Sequence, residues 1–122
     1  MTPEFETVRV ALPGRDYDIR IGPGLLREAG AHVAPLLRRP KVAIITEERV
    51  AGLHLDTLEA GLAAAGIAAE ALILPPGEGT KCWAELERCV EWLISREVGR
   101  GDMVVAFGGG VIGDLAGFAA AI

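Results

Sequence analysis

The sequence predicts an α/β fold: a parallel sheet with flanking helices, preceded by an amino-terminal β-hairpin. Three observations predict it. After residue 40, strand-like and helix-like segments alternate as β-α-β-α-β-α, the order that builds a parallel sheet through right-handed crossovers. Two short runs, KVAIIT at 41–46 and MVVAF at 103–107, are apolar on both faces, as strands covered by helices on each side must be. The second run stops at Gly108-Gly109-Gly110, and a helix-like segment follows directly.

The elements can be justified in order. Thr7–Leu12 and Tyr17–Ile21 have strand character, and Pro13-Gly14-Arg15-Asp16 between them carries turn chemistry, so the pair reads as a hairpin. Gly22-Pro23-Gly24 ends the second strand. Leu25–Leu37 reads as one or two short helices interrupted near Gly30, closed by Pro40. Lys41–Thr46 is a buried strand. Leu55, Leu58 and Leu62 recur at three- and four-residue steps, which predicts a helix over 55–65 with Gly66 at its carboxyl cap. Ala68–Leu74 is a strand ended by Pro75-Pro76. Thr80–Glu97 is the clearest helix, with Thr80 as N-cap. Its apolar stripe is Trp83, Leu86, Val90, Leu93 and Ile94, and Glu85, Glu87, Arg88, Glu91 and Arg96 face water. Trp83 and Trp92 read as core and boundary residues. Gly99–Asp102 is a loop; its Arg100-Gly101-Asp102 spells an adhesion tripeptide but reads as a turn. Met103–Phe107 is the last strand, and Val111–Ile122 the last helix. That helix closes on apolar residues with no cap, so the chain is expected to be the front part of a longer protein.

Bulk properties exclude several classes. The 122 residues suit one domain, and 51% apolar content with 5% aromatic points to a core of Val, Ile, Leu and Ala rather than to disorder. A net charge of −5 with scattered basic residues argues against nucleic acid as the main partner. MTPEFETVRV is acidic and shows no basic stretch followed by an apolar one, and no apolar run reaches roughly 18 residues, so neither a secretory leader nor membrane association is expected. Cys82 and Cys89 lie seven residues apart on one expected helix, about 10 Å, which is too far for a disulfide. Reduced thiols and a cytoplasmic location follow as expectations. His32 and His54 match no metal-ligand spacing and read as surface or boundary residues.

Parallel sheets bind ligands beyond the carboxyl ends of their strands. Thr46-Glu47-Glu48, Pro76–Lys81 and Gly108–Asp114 each follow an expected strand directly, which predicts one shared cleft. Gly108, Gly110 and Gly113 match G-x-G-x-x-G, with Asp114 next. Such a turn can cradle a pyrophosphate with backbone N–H groups and the helix dipole, or serve as a tight strand-to-helix turn. A standard Rossmann domain puts this fingerprint after its first strand, with an acid about 20 residues on for the ribose. Here it follows a late strand, which makes Glu47 the candidate for the ribose. In PPGEGTK, Gly77 and Gly79 permit unusual backbone angles, and Lys81 opposes the dipole of its helix start. That suits an anionic ligand, and a plain loop with Thr80 as N-cap and a solvated lysine reads equally well. Asp114, in the first turn expected for its helix, either complements the dipole or faces a ligand hydroxyl.

PPGEGTK at 75–81 and RGDMVVAFGGGVIGDLAGFAAA at 100–121 closely resemble the amino-terminal domain of the 3-dehydroquinate synthase family. YDIRIGPGLL and VAIITEERVA extend the likeness over nearly the whole chain. The resemblance implies a Rossmann-like NAD-binding domain; the family's all-helical carboxyl-terminal domain, with its metal ligands and most substrate contacts, is missing here. It further implies an NAD- and metal-dependent (zinc or cobalt) carbon–oxygen lyase. Such an enzyme converts a sugar phosphate, 3-deoxy-D-arabino-heptulosonate 7-phosphate, to 3-dehydroquinate and phosphate in the shikimate pathway. A homodimer is also implied. Matched by motif, Gly109, Gly110 and Asp114 fall on the family's NAD-binding glycine loop, and Gly108, Val111, Ile112 and Gly113 are counted with them. Glu78 and Lys81, with Gly77, fall on a second NAD-contacting loop, and Glu47 on the acid near the adenosine ribose. Two residues depart from the pattern: many members carry Asp at the place of Glu47, and Cys82 replaces a common Ser. No catalytic or metal-binding residue is assigned within the 122 residues, which alone are expected to be inactive. A related cyclase of the valiolone or inosose type, or a non-catalytic nucleotide-binding module, are the alternatives.

Overall fold

The computed structural model describes residues 6–14, 16–77, 82–99 and 101–121. β1 (Glu6–Val10) and β2 (Tyr17–Ile21) form an antiparallel hairpin in which Val8 faces Ile19 and Val10 faces Tyr17. Asp16 closes its turn by accepting from the Leu12 N–H at 2.8 Å. A short helix α1 (Ala29–Val33) and a 3-10 turn (Ala34–Leu36) lead to β3 (Lys41–Glu47). Then come α2 (Glu48–Val50), a π turn (Ala51–Leu55), α3 (Asp56–Ala63), β4 (Ala68–Leu74), α4 (Trp83–Ser95), β5 (Met103–Phe107) and α5 (Gly110–Ala121). No described helix is long and apolar enough to cross a membrane.

The three later strands form one parallel sheet in the order β4-β3-β5. β3 is central, and its residues Val42 to Thr46 are all buried, as a run apolar on both faces requires. Strand alternation sends Val42 and Ile44 to a core shared with Ala29, Leu55, Leu58, Leu62 and Ile67. Ala43 and Ile45 turn the other way, against Leu86, Cys89 and Leu93 of α4 and Ile112, Leu115, Ala116 and Ala119 of α5. The chain steps from β3 to β4 on one side, then crosses back to place β5 on the other. With right-handed crossovers, that reversal puts α3 and α4 on opposite faces. It also makes the carboxyl ends of β3 and β5 the switch point, where open sheets leave a crevice.

Three expectations need correction. The helix expected from Leu55 begins at Glu48, because the Glu47 carboxylate accepts from the N–H groups of Arg49 (3.0 Å) and Val50 (2.6 Å) and caps it. The π turn then leads into the buried row Leu55, Leu58 and Leu62. Gly30 does not interrupt a helix. It lies inside α1, where a β-carbon would stand 2.5 Å from Ala65 Cβ and from the Gly61 carbonyl, so it is the point at which α1 rests on α3. The buried row of α4 is Leu86, Cys89 and Leu93, whereas Trp83 and Ile94 are 74% and 70% exposed. Ile94 is one residue past Leu93, hence about 100° round the helix. Trp83 continues the row at i−3, but burial begins only at Leu86. The described part of α4 starts at Trp83, with Cys82 before it; the expected N-cap Thr80 lies outside the described residues.

The exits of α3 and α4 use the same pair of backbone bonds. After α3, Gly66 N–H bonds Ala63 C=O and Ile67 N–H bonds Leu62 C=O, with Gly66 in the left-handed region at φ +76°. After α4, Glu97 and Val98 bond Ile94 and Leu93 in the same way, and Glu97 takes φ 57° without being glycine. The sequence offers no sign of this turn, because its glycine comes two residues later.

The cysteines are free thiols in different settings, Cys82 exposed and Cys89 buried. Burial, reinforced by nearby Glu85, pushes the Cys89 thiol up to about 11. A thiol reagent at pH 8 is therefore expected to modify Cys82 promptly and Cys89 only on unfolding. Rapid native labelling of both would contradict this packing.

At the amino end of β5, Asp102 is held by Arg39, whose Nε donates at 2.9 Å and whose Nη2 closes the pair, and by the Gly99 N–H at 2.8 Å. The Arg38 guanidinium lies over Gly101. These contacts, led by the Arg39 hydrogen bond, lower the Asp102 carboxyl from 3.8 to about 2. A depressed carboxylate stabilises the fold fully above its ordinary value and loses that contribution as pH falls through its folded value. Asp102→Asn is therefore expected to lower the melting temperature at pH 7. The gap should close between about pH 4 and pH 2; a gap independent of pH would contradict the ion pair.

Candidate functional site

Three segments meet at the carboxyl ends of the strands. A cleft of about 310 Å3 is lined by Glu47, Arg49 and Val50 after β3, by Pro75, Pro76 and Gly77 after β4, and by Gly109, Gly110, Val111 and Ile112 after β5. The convergence expected of the three post-strand segments is thus present in their described parts. Glu78 and Lys81 lie outside the described residues.

The turn into α5 gives the cleft its chemistry. The first hydrogen bond of the helix runs from Gly113 N–H to Gly109 C=O at 3.0 Å. The N–H groups of Gly110, Val111 and Ile112 precede that ladder, and all three residues line the cleft. Aligned peptides give this end of a twelve-residue helix positive character, so the arrangement suits an anion.

The glycines of the turn are not equivalent. None of the three takes a left-handed φ, so a strained turn does not account for them. At Gly108 an added Cβ would stand 3.1 Å from Ile112 Cγ1 in the core, which is a packing reason for glycine. At Gly109 and Gly110 an added Cβ meets nothing within 4 Å. Neither backbone angle nor neighbour requires glycine there, and both residues line the cleft.

Other candidates are placed differently. Glu47 lines the cleft while capping α2, and its oxygens retain further lone pairs for a ligand donor. Gly77 has φ +95°, the unusual backbone expected of that loop. Gly113 adds open space but does not line the cleft. Asp114 is the fifth residue of α5, one residue further in than expected, and is exposed. Sequence reasoning missed Arg49 and Val50. The signal was available in Glu47 followed by the charged pair Glu48-Arg49, a capped first turn. A larger groove of about 530 Å3 lies at the other end of the sheet, between α4 and α5. It is lined by Val90, Leu93, Val98, Asp102 and Val104 together with Ala119 to Ala121, at the carboxyl rather than the amino end of α5.

Residues 71–122 match the family model described as 3-dehydroquinate synthase N-terminal. Over 118 residues the chain is 69% identical to a 3-dehydroquinate synthase of Roseobacter denitrificans, covering 97% of this chain and 32% of that protein. A 3-dehydroquinate synthase of Jannaschia sp. is 66% identical over 117 residues, with 96% and 32% covered. The chain therefore spans about a third of the length of the curated relatives it matches. Among solved structures, 2-deoxy-scyllo-inosose synthase superposes with a TM-score of 0.82 at 20% identity, over 96% of this chain and 33% of that one. The same enzyme, in a complex with carbaglucose-6-phosphate, NAD+ and Co2+, gives an equal TM-score. At that identity the likeness establishes the fold.

Proposed function

We propose that this chain, which corresponds to the amino-terminal third of 3-dehydroquinate synthases, is the dinucleotide-binding part of such an enzyme, with NAD seated over Gly109 to Ile112. The observation that carries the reading is the open space above Gly109 and Gly110, beside N–H groups that precede the α5 ladder. Those N–H groups would hold the diphosphate without a basic side chain. Glu47 would accept from an adenosine ribose hydroxyl while it caps α2. Glu78 and Lys81 would contact the dinucleotide from the loop after β4, and Asp114 would act from the exposed side of α5. When bound, NAD supplies reversible hydride transfer at a substrate alcohol, and the part of this chain is to grip and orient it.

The whole protein would be a carbon–oxygen lyase that converts 3-deoxy-D-arabino-heptulosonate 7-phosphate to 3-dehydroquinate and phosphate. That places it in the shikimate pathway toward aromatic amino acids, as a cytoplasmic homodimer. The proposal includes a zinc or cobalt ion. Among the described residues no three His, Cys, Asp or Glu side chains come together as a metal site, so these residues do not fit the ion and would not hold it. A related inosose-type cyclase shares the fold, but identities of 66–69% to 3-dehydroquinate synthases, against 20%, favour the first reading.

Calorimetric titration of the chain with NAD tests the reading. Saturable heat is expected, and no heat at millimolar NAD would overturn it.

A further inference from the structure

We propose that Thr46 is a positioning residue for this cleft: its hydroxyl fixes the peptide plane from which the glycine turn departs. The inference rests on the dinucleotide reading of the cleft. Thr46 is fully buried, the one buried polar residue among those described. Alternation along β3 puts it on the face of Val42 and Ile44, where an apolar side chain would serve for packing. A hydroxyl buried there must be paired, or its desolvation goes uncompensated. The Thr46 Oγ1–H donates to the Phe107 carbonyl at 2.6 Å.

The location of that bond gives it a further consequence. Thr46 and Phe107 form the last rung between β3 and β5, and the next residue on each strand is Glu47 and Gly108. Past this rung no strand pairing holds β5, and three glycines follow in sequence, the residues with most backbone freedom to lose. The Phe107 C=O and the Gly108 N–H belong to one planar trans peptide, and no described peptide bond is cis. Holding the oxygen therefore sets the direction of the Gly108 N–H and the starting direction of the turn. Thr46 ties the β3 side of the cleft to the β5 side without lining it.

The test compares Thr46→Val, which keeps the volume and removes the donor, with Thr46→Ser, which keeps the donor. Two readouts are taken: amide hydrogen exchange at Gly108 to Gly110, and NAD affinity by calorimetry. In T46V the turn amides are expected to exchange about tenfold faster and NAD to bind about tenfold more weakly, the effect of one lost buried hydrogen bond. Amides of Leu86, Cys89 and Leu93 in α4 should shift much less, and T46S should restore both readouts. Unchanged turn exchange in T46V, or T46S as impaired as T46V, overturns the proposal. If T46V does not fold, T46S decides: wild-type turn protection at lower global stability supports the bond, and a loosened turn overturns it. If the wild-type chain takes no NAD, the reading of the cleft falls, and the exchange comparison still decides Thr46.

Discussion

Gly109→Val is expected to weaken NAD binding at least about a hundredfold, close to 2.7 kcal/mol, with little loss of fold stability. The reasoning is geometric. A valine at this position would add methyl groups to a residue that lines the cleft, in space that an added Cβ finds empty. A diphosphate drawn to the N–H groups of Gly110 and Val111 would meet those methyls first. Because Gly109 has no left-handed φ and no neighbour within 4 Å of the added carbon, the fold itself should lose about 1 kcal/mol at most, the cost of a poorer helix cap. Calorimetry with NAD and chemical denaturation, run on the same preparation, check the two halves. Equal affinity in the variant would remove the ligand from this site. A collapse of stability would instead make Gly109 a packing residue.

Gly61→Ala is expected to do the reverse, costing about 3 kcal/mol of stability through overpacking. Gly61 is buried in α3 under the segment that leads into α1. Its added Cβ would overlap the Leu26 carbonyl oxygen and stand 2.9 Å from that of Arg27. Both are backbone atoms, so no side chain can swing aside, and α1 would have to lift from α3. Against a total stability of about 5–15 kcal/mol for a small domain, that is a large fraction. Urea denaturation should show a lower midpoint with an unchanged slope, and a loss under about 0.5 kcal/mol would mean that the two helices are not seated this closely.

The contrast between Gly61 and Gly109 explains what could be read in the sequence. Apolar runs such as Lys41 to Thr46 and Met103 to Phe107 carry their own signature, so all five strands, the hairpin and the sheet type were legible from pattern alone. The convergence of three loops followed from the strands, because a parallel sheet leaves its carboxyl ends on one side. What pattern does not encode is the partner across the fold. Gly30 looks like a helix breaker until Gly61 and Ala65 are seen beneath it. Glu97 closes α4 in a conformation usually left to glycine, which only its backbone bonds reveal. Glu47 stood out as a candidate acid, yet its capping of α2 depends on the chain turning there. Asp114 sits one residue deeper in its helix than expected, because the helix starts at Gly110, within the glycines themselves. The three glycines read alike in sequence, and only the added-carbon geometry separates Gly108, committed to Ile112, from Gly109 and Gly110, which face open space.

The most direct test follows the amide resonances of the labelled protein while NAD is added. The largest shifts are expected at Gly109, Gly110, Val111 and Ile112, with smaller ones at Glu47, Arg49 and Gly77 across the cleft. Shifts centred instead on the groove of Val98, Ala119 and Ala120, or no shifts at saturating NAD, would contradict the placement of the dinucleotide at the start of α5.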